Sequence, residues 1–176
     1  DNCSIASLTI SPNSFNASNL GDNTVTLTAT DNYGNAANCT ATVTVVETAC
    51  LLYVDANATG NNDGSNWANA YTNLQNALTT AATCSTSPTI YVAEGTYYPT
   101  ITLDRAISFN LLDNLSIYAG FSPANGVTEI YERDFRTYET ILSGNIGDTG
   151  LVSDNSYSVI KTAGVSNIVF DGFTIQ

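Results

Sequence analysis

The chain has 176 residues, of which only 11% are charged, and its net charge at pH 7 is −12. Its four Lys and Arg side chains are too few for a phosphate-binding surface, which argues against nucleic acid or an anionic membrane as a partner. Because histidine is absent, neither a Cys/His zinc cluster nor a histidine-dependent catalytic triad can form. An acidic chain remains compatible with divalent cations such as Ca²⁺.

Residues 1–48 predict a small β module. Three segments, 7–10, 24–30 and 40–45, place apolar residues at every second position with Thr between them. That period is typical of strands with one buried face. The segment 31–35, DNYGN, supplies turn residues between the second and third strands. So few strands in so short a stretch predict a small sandwich or part of one.

Residues 51–84 predict a short strand, a loop rich in Gly, Asn and Asp, and the only helix of the chain. Apolar side chains spaced by three and four residues predict the packed face of this helix; they are Trp67, Tyr71, Leu74, Ala77 or Leu78, and Ala81. Either Ser65 or Asn66 is predicted to cap its start. We expect the helix to cover the open edge of the strands that follow.

Short apolar segments recur after residue 89, separated by glycine turns. They are 90–93, 107–109, 115–118, 140–142, 158–160, 168–170 and 173–175, and the turns include Glu94-Gly95 and Asp171-Gly172. Short strands with irregular insertions are typical of a parallel β-helix, whose coils stack on one another. The sequence therefore predicts an all-β chain with a β-helix over 49–176, and the last segment looks like a coil within a longer polypeptide.

The four cysteines predict two disulfides and an oxidising compartment. Three pairings are possible. The local one joins Cys3 to Cys39 and Cys50 to Cys84, which keeps each bond inside one predicted module. Each such bond contributes roughly 3–4 kcal/mol in the loop-entropy account. No apolar run approaches the ~20 residues of a membrane span.

One loop partly imitates a calcium site. Asp55, Asn57, Thr59 and Asp63 offer oxygen ligands at alternating positions around a glycine. However, Asn66 occupies the place where a bidentate Glu is expected. Asx and Gly residues also build turns that contain no metal, so the loop is either a Ca²⁺ ligand set or a structural turn.

Catalytic chemistry has few candidates in this chain. The dense charge groups are Asp104-Arg105 and the stretch 129–136, which fit solvated ion pairs better than a catalytic set. Eight tyrosines fit either a sugar-stacking surface or the packing of coils and their edges; they are Tyr53, Tyr91, Tyr97, Tyr98, Tyr118, Tyr131, Tyr138 and Tyr157. The sequence therefore predicts a non-enzymatic segment.

Two family resemblances refine these expectations. The segment with Asp1-Asn2-Cys3, TVTLTATDNYGN and Cys39 followed by TATVTV resembles the later part of a hyalin-repeat (HYR) module, an immunoglobulin-like β-sandwich. The likeness implies an extracellular spacer or adhesion module over 1–48. Relatives often carry a further Cys after the SPxxF stretch, where this chain has Asn16-Ala17-Ser18. That departure favours the pairing of Cys3 with Cys39.

The second resemblance covers 50–176. The ordered phrases YVDANATGNNDGSNWANAYTNLQNAL, IYVAEGTYYPT, LSIYAGF, ETILSGNIG and NIVFDGFTIQ resemble the start of right-handed β-helix proteins of the pectate-lyase-like superfamily. Together the two modules resemble bacterial surface adhesins exported by type IX secretion. They imply a rigid structural or adhesive segment that contacts glycans or other chains. The alternatives are the first part of a polysaccharide lyase or glycosidase, with its catalytic coils beyond Gln176, and a subunit of an extracellular filament.

Overall fold

The computed structural model describes residues 4–46, 49–148 and 150–176. Its contacts divide the chain into two compact units, Asp1–Thr48 and Ala49–Gln176. The described residues contain twelve strands and a single α-helix, so the chain is all-β in class. None of the described helices has the length and apolar character needed to cross a bilayer.

The first unit is a three-stranded antiparallel sheet in the order β1-β2-β3. Its strands are β1 (Ile5–Ser11), β2 (Gly21–Asp31) and β3 (Ala36–Val45), and a 3₁₀ turn, Ala17–Asn19, precedes β2. The register aligns Ile10, Leu27 and Cys39 across the sheet. Alternation therefore collects the apolar side chains on one face and Thr on the other. The apolar face is open to solvent, since Ile10 is 54% exposed.

The predicted pairing of Cys3 with Cys39 remains a prediction. Cys39 lies exposed on β3 and is bonded to no cysteine among the described residues. Its predicted partner, Cys3, falls outside those residues.

The second unit consists of short parallel strands. In its described residues these are β4 (Leu51–Val54), β5 (Thr89–Ala93), β6 (Gly95–Tyr97), β7 (Phe109–Asn110), β8 (Ser116–Phe121), β9 (Thr140–Leu142), β10 (Ile160–Lys161), β11 (Val169–Asp171) and β12 (Phe173–Ile175). They form three sheets in the orders β11-β8-β5-β4, β12-β9-β6 and β10-β7. The triplet β7, β8, β9 pairs in turn with β10, β11, β12, so one three-strand pattern repeats along the chain.

Alternating side chains explain why these strands stack. Leu52, Ile90 and Ile117 are in register on β4, β5 and β8, and each is at most 8% exposed. The next inward residues, Val54 and Val92, are fully buried. Because successive strand residues point to opposite faces, the residues between them lie on the outer face. That outer face carries the candidate site.

The helix is shorter than predicted. Helix α1 spans Leu74–Ala81, and Asn73 caps it by accepting a hydrogen bond from the Gln75 N–H. Leu74 and Leu78 pack in the core beside β4, β5 and β7, as their spacing on the packed face of the helix predicts. The predicted start at Ser65 or Asn66 is wrong, because the backbone of Tyr71 bonds to β4 and the residue after it instead of to a helix. The Tyr71 N–H donates to the Tyr53 carbonyl, and the Tyr71 carbonyl accepts from the Asp55 N–H. Trp67 and Tyr71 therefore lie before the helix.

The structure refines one predicted turn and shortens two predicted strands. The turn predicted at Glu94-Gly95 lies between β5 and β6, and Gly95 is also the first residue of β6, where it pairs with Thr140. The glycine has φ +135°, which lets the chain change direction and resume pairing at once. The strands predicted at 107–109 and 158–160 are reduced to the two-residue β7 and β10, each starting at the last predicted residue.

Cys50 and Cys84 form a disulfide with a Cα–Cα distance of 6.1 Å. Cys50 directly precedes β4 and Cys84 lies just past the end of α1. The bond therefore ties the first strand of the unit to its helix.

Candidate ligand-binding surface

Three tyrosines form a column on the outer face of the four-stranded sheet. Tyr53, Tyr91 and Tyr118 occupy the same register position on β4, β5 and β8, and we call them the tyrosine column. Ring centroids are 5.8 Å apart between the first pair and 6.2 Å between the second, both in edge-to-face geometry. The inward positions on either side are core residues, so the column is the part of these strands that faces away from the core.

Two further aromatic rings flank the column. Trp67 lies edge-on to Tyr53 at 4.9 Å, and Phe121 stacks on Tyr91 at 4.7 Å with an interplanar angle of 23°. Trp67 also approaches Phe121, at 5.2 Å. Trp67, which the sequence places on the packed face of the helix, is thus part of an aromatic cluster instead. Edge-to-face and offset-stacked pairs fix ring orientation, so the cluster is preorganised.

Residues 122–139, which we call the covering loop, lie beside the cluster. The Trp67 indole N–H donates to the Thr128 carbonyl at 3.2 Å, and the Asp134 N–H donates to the Gly120 carbonyl at 2.9 Å. Gly120 is the extra residue where the β5–β8 register shifts. With φ +92° and a hypothetical Cβ only 2.6 Å from the Phe135 nitrogen, this position requires glycine for the loop to approach.

The next position along the column is acidic. Asp171 on β11 is in register with Tyr118 and forms an ion pair with Arg133. The Arg133 guanidinium also lies 5.2 Å from the Tyr118 ring centroid and donates to the Ala119 carbonyl. Arg133 is thereby held between a carboxylate and an aromatic face, which aims its planar group along the column.

Local charge at the column is mainly negative. Partial burial raises the pKa of Tyr53 above its usual range, and the Glu129 carboxylate adds to this rise. Burial likewise raises the pKa of Tyr91, with neighbouring tyrosines and Glu129 contributing. The hydroxyls of Tyr53 and Tyr91 are therefore neutral at physiological pH. In the described part of the chain none of the three column hydroxyls forms a protein hydrogen bond. They are free to donate to and accept from a polar ligand.

Asp134 anchors the base of the covering loop. Its carboxylate accepts hydrogen bonds from the Thr137 hydroxyl and from the backbone N–H groups of Arg136 and Thr137. These bonds, the Thr137 hydroxyl first, lower the pKa of Asp134 below its ordinary value. The stabilisation they give is complete above the carboxyl pKa of the unfolded chain and is lost as pH falls through the lowered folded-state pKa.

Removing the strongest of these bonds gives a direct test. We expect Thr137→Val to raise the pKa of Asp134 toward its ordinary value, because the hydroxyl that favours the ionised form is gone while the shape is kept. Carboxyl-carbon NMR titration of Asp134 measures the change. Thr59→Val is the matched control and should leave the Asp134 titration unchanged. An identical Asp134 pKa in Thr137→Val and in the parent chain would contradict this account.

The predicted calcium residues form ordinary turns in the structure. Asp55 and Asp63 each accept the backbone N–H two residues ahead, from Asn57 and Ser65 respectively. Within the described residues no group of three or more His, Cys, Asp or Glu side chains is placed to hold a metal ion. Thr59 is exposed. The calcium assignment of Asp55, Asn57, Thr59 and Asp63 therefore stays a prediction, and the structure accounts for both carboxylates without it.

The other predicted charge group has a packing role. The Arg105 side chain donates from Nε to the Asn155 carbonyl at 2.6 Å and lies 4.4 Å from the centroid of the Tyr157 ring. The charges at 104–105 and 129–136 are evident in the sequence, but the pairing of Arg133 with Asp171 depends on strand register, which the sequence does not show.

Neither a protein-family model, nor a curated protein, nor a solved structure matches this chain. The function is therefore inferred from the residues and their geometry.

Proposed function

We propose that the chain is a structural and adhesive segment of a secreted or cell-surface bacterial protein, and that its tyrosine column contacts glycans. In this proposal residues 49–176 are the first coils of a right-handed parallel β-helix, with α1 as their cap. Residues 1–48 are part of an HYR-like immunoglobulin sandwich. Export by the type IX route is part of the proposal and rests on the combination of these two modules.

Repetition of parallel strands supports the β-helix. The strands β7, β8 and β9 are followed in the same order by β10, β11 and β12, each pairing with its counterpart. Stacked coils of this kind make a stiff rod with a continuous lateral face. The Cys50–Cys84 disulfide supports an extracellular location, because such bonds persist mainly in oxidising compartments.

The exposed apolar face of the first unit supports the proposal that this unit is part of a sandwich. Leu8 and Ile10 on β1 are more than half exposed and share their face with Leu27 on β2. A sheet with one apolar face buries it against a second layer in sandwich folds. A single three-stranded sheet of this pattern is therefore consistent with one layer of an immunoglobulin-like module.

The tyrosine column is the observation that carries the adhesive function. Aromatic rings bind the apolar faces of sugars, while free hydroxyls and nearby carboxylates bind their polar edges. The covering loop and Asp171 together carry five carboxylates against the two guanidinium groups of Arg133 and Arg136, so the column favours neutral or amino sugars over polyuronates. Because equivalent positions recur on successive strands, an extended polysaccharide can make weak contacts with several rings at once.

Binding of soluble oligosaccharides tests the proposal. We expect Tyr118→Ala to weaken the binding of a neutral or amino-sugar oligosaccharide about tenfold, which corresponds to about 1.4 kcal/mol for the loss of one aromatic anchor. Calorimetric titration with cello-, xylo- and chito-oligosaccharides, and with an oligouronate for comparison, measures the effect. Tyr91→Phe keeps the ring and removes the hydroxyl, so it separates stacking from hydrogen bonding.

Tyr33 supplies the matched control. It is 85% exposed in the first unit and is no part of the column, so Tyr33→Ala should leave oligosaccharide affinity unchanged. An equal loss in Tyr33→Ala and Tyr118→Ala would remove the column as the binding surface. Failure of every oligosaccharide to bind the parent chain would overturn the adhesive function toward glycans.

A further inference from the structure

Unpartnered buried oxygens concentrate in one loop of the second unit. Across the described residues, five buried side-chain polar atoms lack a hydrogen-bond partner. Four of these belong to the loop between β9 and β10: Asn145 Oδ1, Asp154 Oδ1, Asn155 Oδ1 and Ser156 Oγ. Each buried oxygen without a partner costs about 1–3 kcal/mol, so a cluster of them in one loop requires an explanation.

The two arms of this loop lie side by side. The Ser156 N–H donates to the Gly144 carbonyl at 2.8 Å, and the Asp148 N–H donates to Asp154 Oδ2 at 2.7 Å. Gly147 lies so close to the Asp154 carboxylate that a Cβ there would be 2.3 Å from Oδ2. Asn145 and Asn155, one from each arm, line the same cavity of about 310 Å³. Hydrogen bonds thus hold together the two arms of the loop that carry the four oxygens.

In the described residues, the basic side chains near the loop bind other groups and not these oxygens. The Arg105 guanidinium donates to the backbone carbonyl of Asn155 and lies over the Tyr157 ring. The Lys161 ammonium donates to the Ala106 carbonyl. The second carboxylate of the loop, on Asp148, accepts the Gly150 N–H. The negative charge of Asp154 therefore has no cationic partner in the described part of the chain.

We propose that Asn145, Asp154, Asn155 and Ser156 bind a hard divalent cation of the calcium type. Carboxylate, amide and hydroxyl oxygens are the ligands such cations take, and backbone carbonyls and water complete a shell of six to eight. All four unpartnered atoms are oxygens with lone pairs to offer, which suits a cation. With Asp154 as the charged ligand, the site belongs to the weak class found in extracellular modules, with a dissociation constant on the order of 10⁻⁴–10⁻³ M.

The site differs from the calcium loop that the sequence predicts between Asp55 and Asp63. There Asp55 and Asp63 are satisfied by backbone N–H groups, whereas here Asp154 Oδ1 is buried and unpaired. The proposal does not rest on glycan binding. It predicts that calcium orders the β9–β10 loop and thereby the strands on either side of it.

Calcium titration of the whole chain is the test. We expect calorimetry to give one saturable site and calcium to raise the thermal midpoint of the second unit, whose folding the single tryptophan reports. Asp154→Asn should weaken calcium binding at least tenfold, while the matched Asp63→Asn should leave it unchanged. Asn155→Asp adds a charged ligand in the same place and should tighten binding, so the proposal stays testable even if Asp154→Asn fails to fold.

Three results would overturn this site. One is the absence of calcium binding by the parent chain at about ten times the expected dissociation constant, which leaves water as the partner of the buried oxygens. Another is loss of binding in Asp63→Asn with full binding in Asp154→Asn, which moves the site to the other loop. The last is unchanged or weaker calcium binding in a folded Asn155→Asp variant.

Discussion

Ile117→Ala is expected to lower the free energy of unfolding of the second unit by about 2–5 kcal/mol. Ile117 is fully buried on β8, the strand that lies between β5 and β11. It is in register with Ile90 on one side and Phe170 on the other. Truncation therefore removes contacts to two adjacent strands at once, and a cavity in a parallel stack relaxes only in part.

Urea denaturation followed by tryptophan fluorescence measures this loss. The only tryptophan, Trp67, packs against Tyr53 and Phe121 in the second unit, so its emission reports that unit without interference from the first. Ile101→Ala is the matched control, since Ile101 is 93% exposed, and its effect should stay within about 0.5 kcal/mol. Equal effects of the two substitutions would mean that Ile117 is not in a packed core.

Strand positions are the part of this fold that sequence predicts best. The segments 140–142 and 173–175 coincide with β9 and β12, because each is a short apolar stretch bounded by glycine or polar residues. Glycine turns locate the corners less exactly. Gly95 lies at the predicted turn between β5 and β6 and also pairs with Thr140, since a positive φ is compatible with both a turn and the first residue of a strand.

The helical spacing of Trp67 and Tyr71 predicts a helix that includes them, whereas the structure begins the helix at Leu74. Their spacing from Leu74 matches a helix, but a spacing says nothing about where backbone hydrogen bonds go. The Tyr71 backbone bonds to β4, which draws the segment before Leu74 away from the helix and leaves Trp67 free to pack on the outer face. Here tertiary pairing overrides a local pattern.

The candidate site depends on register, which no local pattern encodes. Tyr53, Tyr91 and Tyr118 are separated by unequal stretches of chain, and only the pairing of β4, β5 and β8 places them in one column. The same holds for Arg133 and Asp171, whose ion pair spans the covering loop and β11. The number of tyrosines in the sequence suggests an aromatic surface, but it does not tell which rings contact one another.

Loss of the Cys50–Cys84 disulfide is expected to destabilise the second unit by about 3–4 kcal/mol in the loop-entropy account. The two cysteines are 34 residues apart in sequence, and their bond closes the segment that contains β4, the following loop and α1. Without it, the unfolded chain gains the freedom of that whole segment. Helix α1 has only eight residues and depends on packing, so its attachment to β4 should loosen first.

The double variant Cys50→Ala/Cys84→Ala and the parent chain under dithiothreitol should show the same lowered urea midpoint by Trp67 fluorescence. Reductant should change nothing further in the double variant, which separates this bond from any bond of Cys39. Non-reducing peptide mapping of the parent chain should show Cys50 joined to Cys84. A parent chain whose Trp67 transition is indifferent to reductant, or a mapped link between Cys3 and Cys84, would contradict both the bond and the assignment of Cys84 to the second unit.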